Sequence, residues 1–82
     1  MLGDIKVKTF RINLLLEGNH SISAFDKRTM DKDVKTIEEE IYASIDDGYR
    51  LIFFEDIACE YKINILPNKI VAFTVYEIIE EK

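Results

Sequence analysis

The side chains that can act as nucleophiles, general bases or metal ligands are few in this sequence and lie far apart along it. The single histidine, His20, lies in or beside a predicted turn, and the single cysteine, Cys59, falls on the apolar side of a predicted strand. Nucleophilic catalysis needs a nucleophile held against a base that is itself oriented, and a structural zinc site needs a full set of nitrogen and sulfur ligands. One histidine and one cysteine supply neither. We therefore expect a protein that is not an enzyme and that holds no metal or cofactor.

Other binding chemistries also lack their usual spacing. The glycines Gly3, Gly18 and Gly48 are too far apart to form a phosphate-binding loop. The carboxylates Glu55 and Asp56 project to opposite faces of a continuing strand, which makes them a poor acid–base pair. The four tyrosines fall in the acidic part of the chain, whereas proteins that bind single-stranded nucleic acid combine aromatic side chains with a basic groove. We therefore do not expect a nucleic acid partner.

The composition is that of one folded domain spanning residues 1–82. Hydrophobic residues make up 48% of the chain and charged residues 33%, which is enough for both a core and a hydrated surface. No apolar run approaches the roughly 20 residues that a membrane-spanning helix needs. A single cysteine cannot form an internal disulfide. The sequence therefore predicts a cytoplasmic protein without membrane contact.

Two segments of alternating apolar and polar residues predict an N-terminal β-hairpin. They cover residues 5–16 and 20–26, and the turn sequence Glu-Gly-Asn separates them. Apolar residues occupy odd positions at the start of the first segment and even positions from Phe10 onward. Because side chains alternate between the two faces of a strand, this change of phase predicts a bulge near Lys8 and Thr9.

Helical spacing replaces the alternation after the hairpin and predicts a helix over residues 32–47. Asp31 or Asp33 is placed to cap its N-terminus by accepting hydrogen bonds from backbone N–H groups. Gly48 is placed to end the helix in the left-handed conformation. The apolar stripe expected to face the core consists of Val34, Ile37, Ile41 and Ile45.

Three further strands are predicted after the helix, over residues 51–54, 57–65 and 70–79, with Pro67 in a tight turn over residues 66–69. Strands joined by tight turns pair antiparallel, and one helix covers one face of a sheet. We therefore predict an α+β fold with the order β-β-α-β-β-β. Its antiparallel sheet has four or five strands and carries one helix on one face.

The last predicted strand is apolar on both sides, so a single helix leaves one side of it uncovered. Exposed apolar patches larger than roughly a few hundred Å² usually mark interfaces. Three alternatives remain for what covers this face: the N-terminal hairpin folding over it, a second copy in a homodimer, or a different protein. The residues of this spare sheet face are Ile70, Ala72, Tyr76 and Ile78, and Phe54 is a further candidate.

Charge is distributed unevenly along the chain. Residues 1–35 carry seven basic and five acidic residues, and residues 36–82 carry four basic and eleven acidic ones. An acidic helix face suits a basic protein surface and accelerates association with it. The basic residues near the start of the chain suggest an alternative, a site for a small anionic ligand. The predicted acidic face consists of Glu38, Glu39, Tyr42 and Asp46, and the alternative basic site consists of Lys6, Lys8, Arg11 and Arg28.

Residues 63–73, with the sequence INILPNKIVAF, follow a predicted hairpin and helix in a layout that resembles small uncharacterised α+β proteins of phages and prophages. The composition, rich in Ile, Lys, Glu and Asn, agrees with this resemblance to proteins from AT-rich bacteria. The resemblance covers the general layout and assigns no functional residue. It implies a protein that acts by binding a host enzyme, a nuclease of a defence system, a signalling nucleotide or its own copies.

These observations predict a small non-enzymatic interaction module that inhibits or regulates a larger protein, such as a phage anti-defence or host-takeover protein. The acidic helix face or the spare sheet face would make the contact. The first alternative is a homo-oligomer that binds or sequesters a small anionic ligand such as a nucleotide. The second alternative is a structural subunit of a phage.

Overall fold

The computed structural model describes residues 6–79, and this part of the chain forms an antiparallel sheet of five strands with one α-helix. The predicted α+β class is confirmed. The elements in chain order are β1 (Val7–Leu16), β2 (His20–Thr29), α1 (Val34–Asp47), β3 (Leu51–Phe54), β4 (Lys62–Ile65), a 3-10 helical turn (Pro67–Lys69) and β5 (Ile70–Ile78).

The predicted hairpin is present and is longer than expected at its second strand. The ladder between β1 and β2 pairs every residue of β1 with one of β2, without a break. The predicted bulge near Lys8 and Thr9 is therefore wrong. Val7 lies on the face of the sheet away from α1 and is 47% exposed. The apolar residue at this odd-numbered position is therefore partly solvated, and the change in the alternation does not require a bulge. Ile5, which also suggested that change, lies outside the described residues.

The strand order is β4-β3-β2-β1-β5, so β4 and β5 are the two edges of the sheet. A flat sheet would hold these edges about 19 Å apart, at about 4.8 Å for each strand spacing. Only residues 66–69 connect them, and the 3-10 turn in this connection rises only about 2 Å per residue. The connection is too short for a flat sheet, so the sheet must curl. The ladder is shortest at the junction of β2 and β3, which share one registered pair, Phe25 with Phe54.

The connection over residues 66–69 turns as predicted but does not join paired strands. Lys69 donates its backbone N–H to the carbonyl oxygen of Leu66 at 3.1 Å, which closes the turn. The carbonyl oxygen of Lys69 accepts from the backbone N–H of Glu17 at 2.9 Å. This bond holds the turn against the loop between β1 and β2. β5 therefore starts beside the hairpin and pairs with β1 instead of β4.

The helix ends at the predicted residue and begins at Val34, two residues later than predicted, and three of the four residues of the predicted stripe face the core. Asp33 caps the N-terminus by accepting from the backbone N–H of Thr36 at 3.0 Å, and Gly48 follows the last turn with a φ of 80°. Near the C-terminus Ser44 is buried, whereas Ile45 is 37% exposed. The Ser44 hydroxyl donates to a backbone carbonyl beyond the helix end, so its polar atom is satisfied inside.

The predicted strand over residues 57–65 is wrong for its first half. Only Lys62–Ile65 form a strand, and the preceding residues form a loop closed by Asp56, whose carboxylate accepts from the backbone N–H groups of Glu60 and Tyr61 at 3.0 Å each. Cys59 lies in this loop with a φ of 60°, not on the apolar side of a strand. Partial burial raises the pKa of its thiol. A side chain that captures nearby N–H groups competes with the ladder for them.

One core fills the space between α1 and the sheet. Even-numbered residues of β1 and β2 point into it, together with two residues of α1 and the inward side of the β3–β4 hairpin. Each buried aliphatic or aromatic side chain contributes roughly 1.5–3 kcal/mol by leaving water. The fully or nearly fully buried apolar residues are Phe10, Ile12, Leu14, Ala24, Ile37, Ile41, Leu51, Phe53, Ile65 and Val75.

The rotation of α1 is tested by truncating two isoleucines that are one helical turn apart. We expect Ile41→Ala, at a fully buried site, to lower the free energy of unfolding by about 3 kcal/mol. Ile45→Ala should lower it by less than about 1 kcal/mol because that side chain is partly solvated. Urea unfolding followed by circular dichroism measures both. An equal or larger loss for Ile45→Ala would contradict this rotation of the helix.

Candidate interaction surface

The last strand, β5, is an edge strand with one face uncovered. It pairs with β1, and no strand within residues 6–79 lies along its other edge. On the face away from α1, Ala72 and Tyr76 are exposed and Ile78 is half-buried. Of the three alternatives, the N-terminal hairpin folding over this face is excluded, because both hairpin strands belong to the same sheet as β5. The other two covers, a second copy and a different protein, stay open.

One of the predicted residues does not lie on this spare sheet face. The register between β1 and β5 shifts at Leu15 and Leu16, so that Leu15 lies opposite Ala72 and Leu16 opposite Ile70. Ile70 thereby points to the side of α1 and packs against the core. The extra residue, Val71, is 62% exposed. The spare sheet face is therefore formed by Ala72, Tyr76 and Ile78.

Polar side chains interrupt the apolar residues in the middle of the same face. Arg11 donates from Nε to the Ser23 hydroxyl at 3.0 Å, and its guanidinium lies 5.4 Å from the ring centre of Phe25. The Asn13 amide donates to the Thr74 hydroxyl at 3.3 Å. Such cross-strand hydrogen bonds suit a hydrated surface. The apolar part of the spare sheet face continues beyond β5 in two places: Leu15 of β1 lies opposite Ala72 and is 36% exposed, and the candidate Phe54 of β3 pairs with Phe25 on the same face.

The two flanks of α1 are held by different strands. On one flank, Glu40 accepts from both terminal nitrogens of Arg28 in β2, at 2.8 and 2.6 Å. On the other flank, the ring of Tyr42 meets Phe73 of β5 edge-on, with ring centres 5.1 Å apart. Glu38 lies one helical turn before Tyr42 and shares its flank. The acidic helix face therefore lies beside β5, and the spare sheet face lies on the opposite side of the same strand.

The predicted acidic residues are at the surface in the structure. Tyr42 is 60% exposed although its ring contacts Phe73. Glu39 and Asp46 are exposed, and Glu38 is half-buried. Successive residues of a helix turn by about 100°, so these four side chains cover one continuous sector that points outward and toward the free edge of β5.

An ion network inside the sheet joins β2 to α1. Asp26 is 6% exposed and accepts from Arg28 Nε at 2.8 Å and from the backbone N–H of Lys27 at 3.0 Å. Burial raises the pKa of the Asp26 carboxyl, against the opposing effect of Arg28. The hydrogen bonds from Arg28 lower the pKa of Glu40, and those same bonds raise the pKa of the guanidinium. The network orients the helix on the sheet.

The alternative basic site does not come together. Arg28 is engaged by two carboxylates, and Lys8 donates from Nζ to the carbonyl oxygen of Lys32 at 2.6 Å. Arg11 lies on the opposite face of the sheet from both. Lys6 is exposed before the first strand. These four cations do not converge on one site for an anion.

A surface cavity of about 520 Å³ lies near the open end of the hairpin. Lys8 and Lys27 line it, and so does Glu77. Its remaining lining is mainly apolar and includes Met30 and Ile57. Of the four residues of the alternative basic site, only Lys8 lines this cavity, so the cavity does not restore that site.

The buried network of Asp26, Arg28 and Glu40 was not predicted from the sequence. Its signal is nevertheless present in β2, where Asp26 and Arg28 continue the even-numbered apolar positions of Ile22 and Ala24. A carboxylate and a guanidinium at consecutive inward positions indicate a buried pair. Their helical partner, Glu40, could not be chosen from three consecutive glutamates without the rotation of α1.

Comparison of the chain with known protein families, with curated proteins and with solved structures found no match in any of the three. Within residues 6–79, no helix is both long and apolar enough to cross a lipid bilayer. In the same residues, no three His, Cys, Asp or Glu side chains are grouped so that they could hold a metal ion.

The ion network makes a prediction about stability and pH. Arg28→Met leaves the Asp26 carboxylate buried without its cation, and we expect this to lower the free energy of unfolding by about 3 kcal/mol at neutral pH. The pKa of Asp26, already raised by burial, rises further in this variant. Protonation then removes the buried charge, so the loss should shrink as the pH falls toward about 4.

The matched control is Lys27→Met, which removes the same charge from an exposed neighbour. It should change the free energy of unfolding by less than about 0.5 kcal/mol. Chemical unfolding of both variants at several pH values measures the difference. A loss in Arg28→Met that stays constant or grows with acidification would contradict the assigned role of Asp26.

Proposed function

We propose that this protein is a non-enzymatic interaction module that inhibits or regulates a larger protein. The contact surface combines the outward sector of α1 (Glu38, Glu39, Tyr42 and Asp46) with the spare margin of the sheet (Ala72, Tyr76 and Ile78). The single observation that carries this proposal is the Tyr42–Phe73 contact, which joins the acidic sector to β5. The two surfaces that the sequence suggested as alternatives lie on opposite sides of β5, and we infer that a partner bound along the free edge of this strand contacts both.

The chemistry of this combined surface supports a protein partner. Tyr42 and Tyr76 are 60% and 47% exposed, and large aromatic side chains that are partly solvated are typical of interface anchors. Acidic side chains border them on α1 and favour encounter with a basic surface. The basic residues suggested for an anionic ligand do not converge, so the structure offers less support for the ligand-binding alternative.

We propose that the protein works in the cytoplasm, where its single cysteine stays reduced. The layout that resembles small phage proteins favours an inhibitor of a host enzyme or of a defence nuclease. A homodimer formed through β5 is the competing use of the same surface.

Three tyrosines with similar exposure provide the test. Tyr42, Tyr76 and Tyr61 are 60%, 47% and 63% exposed, but Tyr61 lies in the loop before β4, at the opposite edge of the sheet. Each is replaced in turn by the photo-crosslinker p-benzoylphenylalanine, and the protein is irradiated in a bacterial lysate. We expect one defined adduct from positions 42 and 76 and none from position 61.

Mass spectrometry of the adduct identifies the partner, and purified partner then confirms binding in isolation. An adduct that forms equally well from position 61, or the absence of any adduct from positions 42 and 76, would refute the proposed surface. An adduct whose mass is twice that of this chain would assign the surface to a homodimer.

A further inference from the structure

The two edges of the sheet differ in their readiness to accept another strand. The edge formed by β4 has four residues, starts with Lys62 and is followed closely by Pro67. The edge formed by β5 has nine residues, none of which is Lys, Arg, Pro or Gly. Short edges with lysine and nearby proline resist pairing, whereas a long edge without lysine or proline presents a row of free N–H and C=O groups. β5 is therefore the edge suited to an added strand.

The two sides of this edge have opposite character. On the α1 side, Glu38 shares the flank of Tyr42, and Glu77 of β5 lies on the same side because it is opposite Phe10. On the other side, Ala72 and Tyr76 form the apolar margin. Since the side chains of a strand alternate between the two faces, a strand added here presents every second residue to carboxylates and the others to apolar groups.

We propose that the free edge of β5 binds an extended segment of the partner protein as an additional β-strand. The segment alternates basic side chains, which face α1, with apolar side chains, which continue the margin of Ala72 and Tyr76. Main-chain hydrogen bonds provide affinity, and the alternating side chains provide specificity. This inference rests on the proposed function and specifies how the partner is held.

A second copy of this chain fits the edge less well than a basic segment. Pairing β5 with its own symmetry mate would place two α1 helices on one face of the joined sheet, with their acidic flanks toward each other. Each chain carries a formal net charge of −5, and like charges across an interface oppose association. Charge complementarity therefore favours a basic partner segment over self-pairing.

The probe is a nine-residue synthetic peptide in which lysine and valine alternate, N-methylated along one edge so that it cannot stack with itself. Hydrogen exchange of the β5 amides is followed by NMR with and without the peptide. We expect alternate amides of β5 to exchange about tenfold more slowly in the complex, because they become donors to the added strand. The same peptide methylated along both edges keeps its charge and side chains but should give no protection.

A charge reversal on each flank of α1 tests the orientation of the peptide. Glu38→Lys should weaken binding of the peptide by roughly tenfold, because its carboxylate faces the added strand. Asp47→Lys makes the same change in charge on the flank of Glu40 and should weaken binding by less than about threefold. Equal losses from both variants, or protection by the doubly methylated peptide, would overturn strand addition.

The outcomes separate this inference from the proposed function. If positions 42 and 76 crosslink to a partner but the purified partner does not change the hydrogen exchange of the β5 amides, the proposed surface is supported and strand addition is refuted. If the β5 amides exchange slowly in the absence of peptide and light scattering gives the mass of a dimer, the edge of β5 is occupied by a second copy of the chain and not by a partner segment. Absence of the crosslinks would refute the proposed function itself.

Discussion

The rotation of α1 about its own axis decides which residues this protein presents to other molecules. Arg28 holds Glu40 on one flank of the helix, and Phe73 meets Tyr42 on the other. Between these two contacts the buried stripe faces the core, and the remaining acidic side chains turn outward beside β5. The buried Asp26 holds the guanidinium from below. Such a pair adds little net stability because burial of the charges offsets their attraction, but a misrotated helix would leave Asp26 without its full network.

The free edge of β5 is a consequence of the strand order. If β4 and β5 had paired as a hairpin, each strand would have covered one edge of the other strand. Instead the 3-10 turn is bonded to the hairpin loop through Glu17, and β5 pairs with β1. This arrangement curls the sheet and leaves the short β4 at one edge and the long β5 at the other. The same connection thus shapes the core and creates the surface to which we assign binding.

The local elements were predictable because their signals lie within a few neighbouring residues. Turn residues and alternation define the hairpin, and Asp33 and Gly48 mark the ends of the helix. The errors arose where a side chain or a distant partner decides the structure. Asp56 captures backbone N–H groups that an alternating pattern assigns to a strand, and the register shift that turns Ile70 inward depends on its pairing with β1.

The features of the candidate surface also fall into two groups, those that the sequence predicts and those that depend on the tertiary structure. The fold class, the acidic sector of the helix and the surplus of apolar residues in the last strand are predictable from the sequence, because periodicity and charge are properties of the chain. Three features depend on the tertiary structure: the acidic sector and the apolar residues of β5 flank the same strand on its two sides, the basic residues separate onto two faces, and β5 is an edge strand within residues 6–79. These facts depend on strand order and helix rotation, which are settled by contacts between residues remote in sequence, such as Arg28 with Glu40 and Leu14 with Phe73.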